Sequence, residues 1–175
     1  MWATLGSDDS LPQPRPERVL PAEVPIGAVL AWVAKAVVAF GSVRSYPDGF
    51  DFVITALLRE PLHHTRANAV FEPGVAESIG HPGLFLRIDV TFADGVTVSN
   101  AREPSRETRR QFLAGRGGTV NGSRFEQRYW SAPLPPVGPL RISCHWPDFA
   151  VAETHDVDAE LINAGAKRAV VPWPS

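Results

Sequence analysis

Leu84-Phe85-Leu86-Arg87-Ile88-Asp89-Val90-Thr91-Phe92-Ala93-Asp94-Gly95-Val96-Thr97-Val98 alternates with a period of two. On an extended backbone Leu84, Leu86, Ile88, Val90 and Phe92 share one face, while Arg87, Asp89 and Thr91 share the other. The Asp94-Gly95 dipeptide supplies the backbone freedom of a tight reversal, so the stretch predicts a β-hairpin with one dry and one wet face. The same device recurs at Tyr46-Pro47-Asp48-Gly49-Phe50, which leads into Asp51-Phe52-Val53-Ile54-Thr55-Ala56-Leu57-Leu58. That second hairpin places Phe50, Phe52, Ile54, Ala56 and Leu58 on one face, and Asp51, Thr55 and Arg59 on the other.

Residues 1–23 hold Pro12, Pro14, Pro16 and Pro21 among polar residues and read as a flexible proline-rich arm. The domain proper is expected over residues 24–175, with long loops at 60–82 and 100–123. Val24–Val33 and Ala36–Tyr46 read as strands, because Val29, Val33, Val37, Val38 and Val43 are β-branched and Gly27 and Gly41 interrupt any helix. Further strands are expected over Arg124–Trp130, Leu140–Trp146 and Val151–Val157. A single short helix follows, with Asp158 as N-cap, Leu161 and Ile162 as apolar contacts, and Gly165, Lys167 and Arg168 toward its end. Roughly seven or eight strands with no alternating strand–helix pattern predict an all-β antiparallel β-sandwich of immunoglobulin-like arrangement.

Bulk properties set limits on function. The chain has 175 residues, of which 44% are hydrophobic, enough for one domain with a real core. A formal net charge of -2 provides no global field to draw nucleic acid or an anionic membrane. One cysteine, Cys144, excludes an intramolecular disulfide framework. The N-terminus lacks the basic start and apolar run of a secretory leader, and the apolar region Ala28–Phe40 is cut by Lys35 and too short for a bilayer. A cytoplasmic protein that makes no use of a membrane or a cofactor is the expectation.

Among chemistry-bearing residues, His63, His64 and His81, near Glu72 and Glu77, have donors suited to zinc or iron, but their spacing matches no standard ligand pattern. Cys144 and His145 are adjacent on a strand and so face opposite ways, which denies the thiol a local base. Asp148, Glu153, His155, Asp156, Asp158 and Glu160 form an acidic group that reads as cap chemistry and a charged strand edge. Between Ala101 and Arg128 there are seven arginines and three glutamates, a local excess of four positive charges. With Phe112, Phe125, Tyr129 and Trp130 nearby, this segment offers forked donors and stacking surfaces for an anion or a nucleic acid. The Gly115–Gly118 run lacks the Gly-Lys-Ser/Thr of a P-loop. Because neighbours on a strand face opposite ways, one of Tyr129 and Trp130 is expected to face outward as part of an exposed aromatic patch.

Arg44–Phe50, Val90–Gly95 and Tyr129–Leu140, taken with Trp146-Pro147, resemble a group of uncharacterised single-domain all-β proteins from high-GC bacteria. The resemblance spans the chain from about Val24 onward and implies no assigned activity. The sequence thus leads to a non-enzymatic interaction or assembly module with a protein partner or a second copy of itself. Its expected contacts are Arg109, Arg110, Arg124, Arg128, Tyr129 and Trp130. The rivals are a small metal-dependent enzyme on His63, His64 and His81, and an anion or nucleic-acid binder on the arginine-rich loop.

Overall fold

The computed structural model describes residues 15–101 and 111–173. Its strands are β1 (Ala22–Val24), β2 (Ala28–Trp32), β3 (Ala36–Tyr46), β4 (Gly49–Leu58), β5 (Arg87–Thr91), β6 (Thr97–Ser99), β7 (Phe112–Asn121), β8 (Arg124–Ala132), β9 (Pro139–Trp146) and β10 (Val151–Asp158). Three short α-helices accompany them: α1 (His64–Ala67), α2 (Pro73–Ser78) and α3 (Ala159–Ala166). The strands form two antiparallel sheets, as the sequence predicted. One has six strands in the order β1-β3-β4-β8-β7, with β2 also on β3; the other has four in the order β10-β9-β5-β6.

Period-two patterning explains the two layers. Phe50, Phe52, Ile54, Ala56, Phe125 and Tyr129 of the larger sheet meet Ile88, Val90, Leu140, Ile142 and Trp146 of the smaller one in a single buried cluster. Every second residue therefore gains the hydrophobic contribution of burial, of order 1.5–3 kcal/mol for a large aliphatic side chain. Trp146 adds a hydrogen bond from its Nε1 to the Leu84 carbonyl at 2.7 Å, so its one polar atom is satisfied inside the core. Cys144 lies on the same dry face, and burial pushes its thiol up to about 11. At one lateral seam the His155 ring meets the Leu30 carbonyl at 2.9 Å, joining β10 to β2.

Local chemistry fixes the register. The Pro47-Asp48 turn pairs Tyr46 with Gly49, Ser45 with Phe50 and Arg44 with Asp51. Gly49 is required there, because a Cβ would lie 2.6 Å from the Trp130 ring and 2.5 Å from the Ser131 carbonyl oxygen. Between Gly41 and Arg44 the pairing slips by one residue, and Ser42 takes a left-handed φ of 49°. Such a bulge re-aims the following side chains. Here it keeps Val43 inside and puts Arg44 directly across from Asp51. Asp158 caps α3 by accepting from the Glu160 N–H, as expected, and Ile162 packs into the core.

Four expectations need correction. Residues 112–121, taken as part of a loop over 100–123, are strand β7, paired with β8 along its length; the glycines are accommodated by a bulge between Gly115 and Gly118. The segment 60–82 carries α1 and α2 rather than irregular chain. Ordered structure begins before Val24, since Leu20 bridges to Val170 and β1 starts at Ala22. Leu161 is 42% exposed, so α3 uses Ile162 and not Leu161 as its core contact. Gly165 serves close packing, because a Cβ there would sit 2.8 Å from Val24 and 2.9 Å from Ser45.

Candidate functional site: the outer faces of the two sheets

The outer face of the four-stranded sheet is built for water. Arg87, Asp89, Thr91, Thr97, Arg141, Ser143, His145, Thr154 and Asp156 occupy it, and all but His145 bond a neighbour on the same face. Thr91 and Thr97 hydroxyls meet at 2.8 Å, Ser143 and Thr154 at 3.0 Å, and Arg141 Nε donates to Asp156 at 2.8 Å. That hydrogen bond holds the Asp156 carboxyl below its ordinary range and the Arg141 guanidinium above its own.

The outer face of the six-stranded sheet has two unlike halves. One half is covered. Trp130, Tyr46, Phe112 and Ala132 form a second small core there, with Val19 packed against them. The rings of Tyr46 and Trp130 meet edge to face at 5.3 Å. Beside them Asp51, fully buried, accepts from Arg44 Nε at 2.9 Å and Nη2 at 2.6 Å, and from Arg128 Nη1 at 2.7 Å. It also accepts from the Tyr46 hydroxyl at 3.1 Å and Arg15 Nη1 at 3.3 Å. The hydrogen bond to Asp51 raises the Arg44 pKa, and burial raises that of Tyr46.

The other half is bare and apolar. Trp32, Val37 and Leu57 are directly opposed across β2, β3 and β4, followed by Arg124 on β8. Val29, Ala39 and Thr55 form the next row, followed by Glu126 on β8. Gly41, Val53 and Arg128 form the third. Trp32 is 79% exposed, Val29 49% and Leu57 38%, while Val37, Ala39 and Val53 are partly exposed. Arg124 and Glu126 pair with each other along one flank of the patch.

The expected contact residues are dispersed by this arrangement. Arg109 and Arg110 lie outside the described residues. Arg124 is on the rim of the bare half, and Arg128 reaches Asp51. Tyr129 and Trp130 do face opposite ways, but neither is exposed, so no aromatic patch exists at that place. Tyr129 points between the sheets and accepts a hydrogen bond from Asn100 Nδ2 at 2.9 Å, and burial raises its pKa. Trp130 points outward but lies beneath the small core it shares with Tyr46 and Phe112. The histidines do not converge on one point. His63 and His64 rings are 4.5 Å apart, whereas His81 meets the Arg66 guanidinium at 3.3 Å. No group of three or more metal-ligating side chains occurs among the described residues. A cleft of about 390 Å³ runs between β7 and the α1–α2 segment, lined by Asn68, Phe71, Glu72, Gly118 and Gln127.

Sequence reasoning missed Asp51 and the apolar outer face. A two-residue turn at Pro47-Asp48 already implies the Arg44–Asp51 pairing. Ala36-Val37-Val38-Ala39-Phe40 fails to alternate, which is the mark of a strand apolar on both faces. Among the described residues no helix is long and apolar enough to cross a membrane. Comparison of the chain with protein-family models, with curated proteins and with solved structures finds no match.

Proposed function

We propose that this protein is an interaction module whose contact surface is the bare half of the six-stranded sheet, and that its occupant is a second copy of the same chain. The observation that supports this is the exposed row Trp32–Val37–Leu57 with Val29, Ala39 and Val53 beside it. Contiguous apolar surface of this kind marks association sites in water-soluble proteins, and a large exposed tryptophan is a common anchor of binding energy.

Three features favour self-association over a foreign partner. A sheet face can pack on its own copy about a two-fold axis, because the same patch then serves both sides. Arg124 and Glu126 stand side by side on the rim, so a two-fold axis running between their two rows sets the arginine of one copy against the glutamate of the other. A net charge of -2 opposes such pairing only weakly. Sedimentation equilibrium of the wild-type chain and of Trp32→Ser checks the reading. A wild-type dimer that Trp32→Ser weakens at least about tenfold is the expected result, since an anchoring aromatic carries about 2 kcal/mol or more. A wild-type chain monomeric at about 100 μM, or a Trp32→Ser dimer of unchanged affinity, overturns it.

A further inference from the structure

Asp51 carries an imbalance that its structural role does not use up. Three guanidinium cations, from Arg15, Arg44 and Arg128, converge on one carboxylate. Five donors address its two oxygens, three of them on Oδ2 alone. A carboxylate offers about four lone-pair positions in all, two per oxygen, so the group is short of acceptors as well as of negative charge. Glu23, opposite Arg44 across β1 and β3, adds a carboxylate at longer range but forms no ion pair with the cluster. Among the described residues Arg15 bonds only through Nη1, and Arg128 spends Nη1 on Asp51 and on the Ser42 carbonyl at 3.3 Å. The Nε and Nη2 groups of both arginines therefore have no partner among the described residues. These side chains are 40% and 24% exposed, while the carboxylate behind them is fully enclosed.

We infer that the Arg15–Arg44–Arg128 cluster is a binding site for a small oxyanion, phosphate or a phosphate monoester, with Asp51 as the buried post that holds the guanidinium groups in place. Planar, charged forks with unspent N–H groups match a tetrahedral oxyanion, and bonds between two ionised partners are about twice as strong as neutral ones. The role of Asp51 is positional: it fixes Arg44 through two nitrogens and leaves the other two arginines their outer edges. Arg128 ends the third row of the bare half, opposite Val53, so the site borders the proposed contact surface; Arg15 and Arg44 lie outside its rows, and phosphate binding is read separately from self-association.

Titration calorimetry with inorganic phosphate, at ionic strength held constant with sodium chloride, tests it. The expected result is saturable binding of one phosphate per chain that weakens at least about tenfold in both Arg15→Gln and Arg128→Gln, each removing one fork. Arg15 is the more exposed of the two, so Arg15→Gln keeps the test valid should Arg128→Gln fail to fold. Phenyl phosphate, run in parallel, distinguishes a monoester site, which takes both compounds, from one for free phosphate alone. Absence of saturable heat up to about 10 mM phosphate, or unchanged affinity in Arg15→Gln, overturns the inference.

Discussion

The outer faces of the two sheets are made from the same backbone geometry and face the same solvent, yet they are opposites. On the four-stranded sheet the directly opposed pairs are mostly polar: Thr91 with Thr97, Asp89 with Ser99, Ser143 with Thr154, Arg141 with Asp156. On the six-stranded sheet the equivalent pairs are Trp32 with Val37, Val37 with Leu57, and Val29 with Ala39. Sheet formation needs neither choice, since cross-strand polar pairs and aliphatic pairs each contribute about 0.2–1 kcal/mol. The difference therefore concerns what each face meets. Water suffices for the first; the second leaves a tryptophan and several aliphatic groups unburied in the monomer.

Substitution can break this contrast, beginning with the charged groups. Asp51→Ala should cost about 3 kcal/mol in chemical denaturation, because it strands three guanidinium groups around an emptied site, two of them mostly buried. Asp156→Ala, on the polar face, removes an ion pair open to solvent on both sides and should shift the denaturation midpoint far less than Asp51→Ala does. Equal effects from the two would mean that the covered half of the six-stranded face is no more organised than the polar sheet.

Smaller effects sharpen the comparison. Leu57→Lys should weaken self-association by about tenfold while changing monomer stability by no more than about 0.5 kcal/mol, as for an ordinary surface replacement. Thr154→Lys, its counterpart on the polar face, should leave sedimentation untouched. Thr91→Val, which breaks the hydroxyl pair with Thr97, should cost a few tenths of a kcal/mol at most, read from the denaturation midpoint.

The smallest effect is one of pH. The Asp156 carboxyl is held below its ordinary value of 3.8 by Arg141, so its contribution is present above that value and fades as pH falls through the depressed one. Below pH 3.8 the wild type should therefore lose slightly more melting temperature than Asp156→Asn. Equal losses in the two would show that the pair adds nothing.

The layered core was legible in the sequence because alternation leaves a local trace. Leu86, Ile88 and Val90, or Phe50, Phe52 and Ile54, declare their common face without reference to anything distant. The site was less legible for two reasons. Tyr129 and Trp130 do diverge as neighbours on a strand must, but whether an outward ring is covered depends on Val19 and Phe112, which lie far from it in sequence. Asp51 follows the wet-face pattern of Thr55 and Arg59, and its burial comes from groups brought together from distant parts of the chain: Arg15, Arg44 on β3 and Arg128 on β8, with Tyr46 and Trp130 beside them. The strand at Phe112–Asn121 was hidden by its glycines, which weaken strand propensity but sit here at an edge where a bulge takes up the irregularity. The apolar outer face did leave a trace, in the unbroken run Ala36–Phe40, which marks a strand whose second face is also dry.

Hydroxyl-radical footprinting at two protein concentrations, below and above the association range, compares both faces in one sample. The account predicts that Trp32 and Leu57 lose reactivity at the higher concentration, while His145, exposed on the polar sheet, stays as reactive as before. Trp32 and Leu57 equally reactive at both concentrations, or protection that falls on His145 instead, would contradict it.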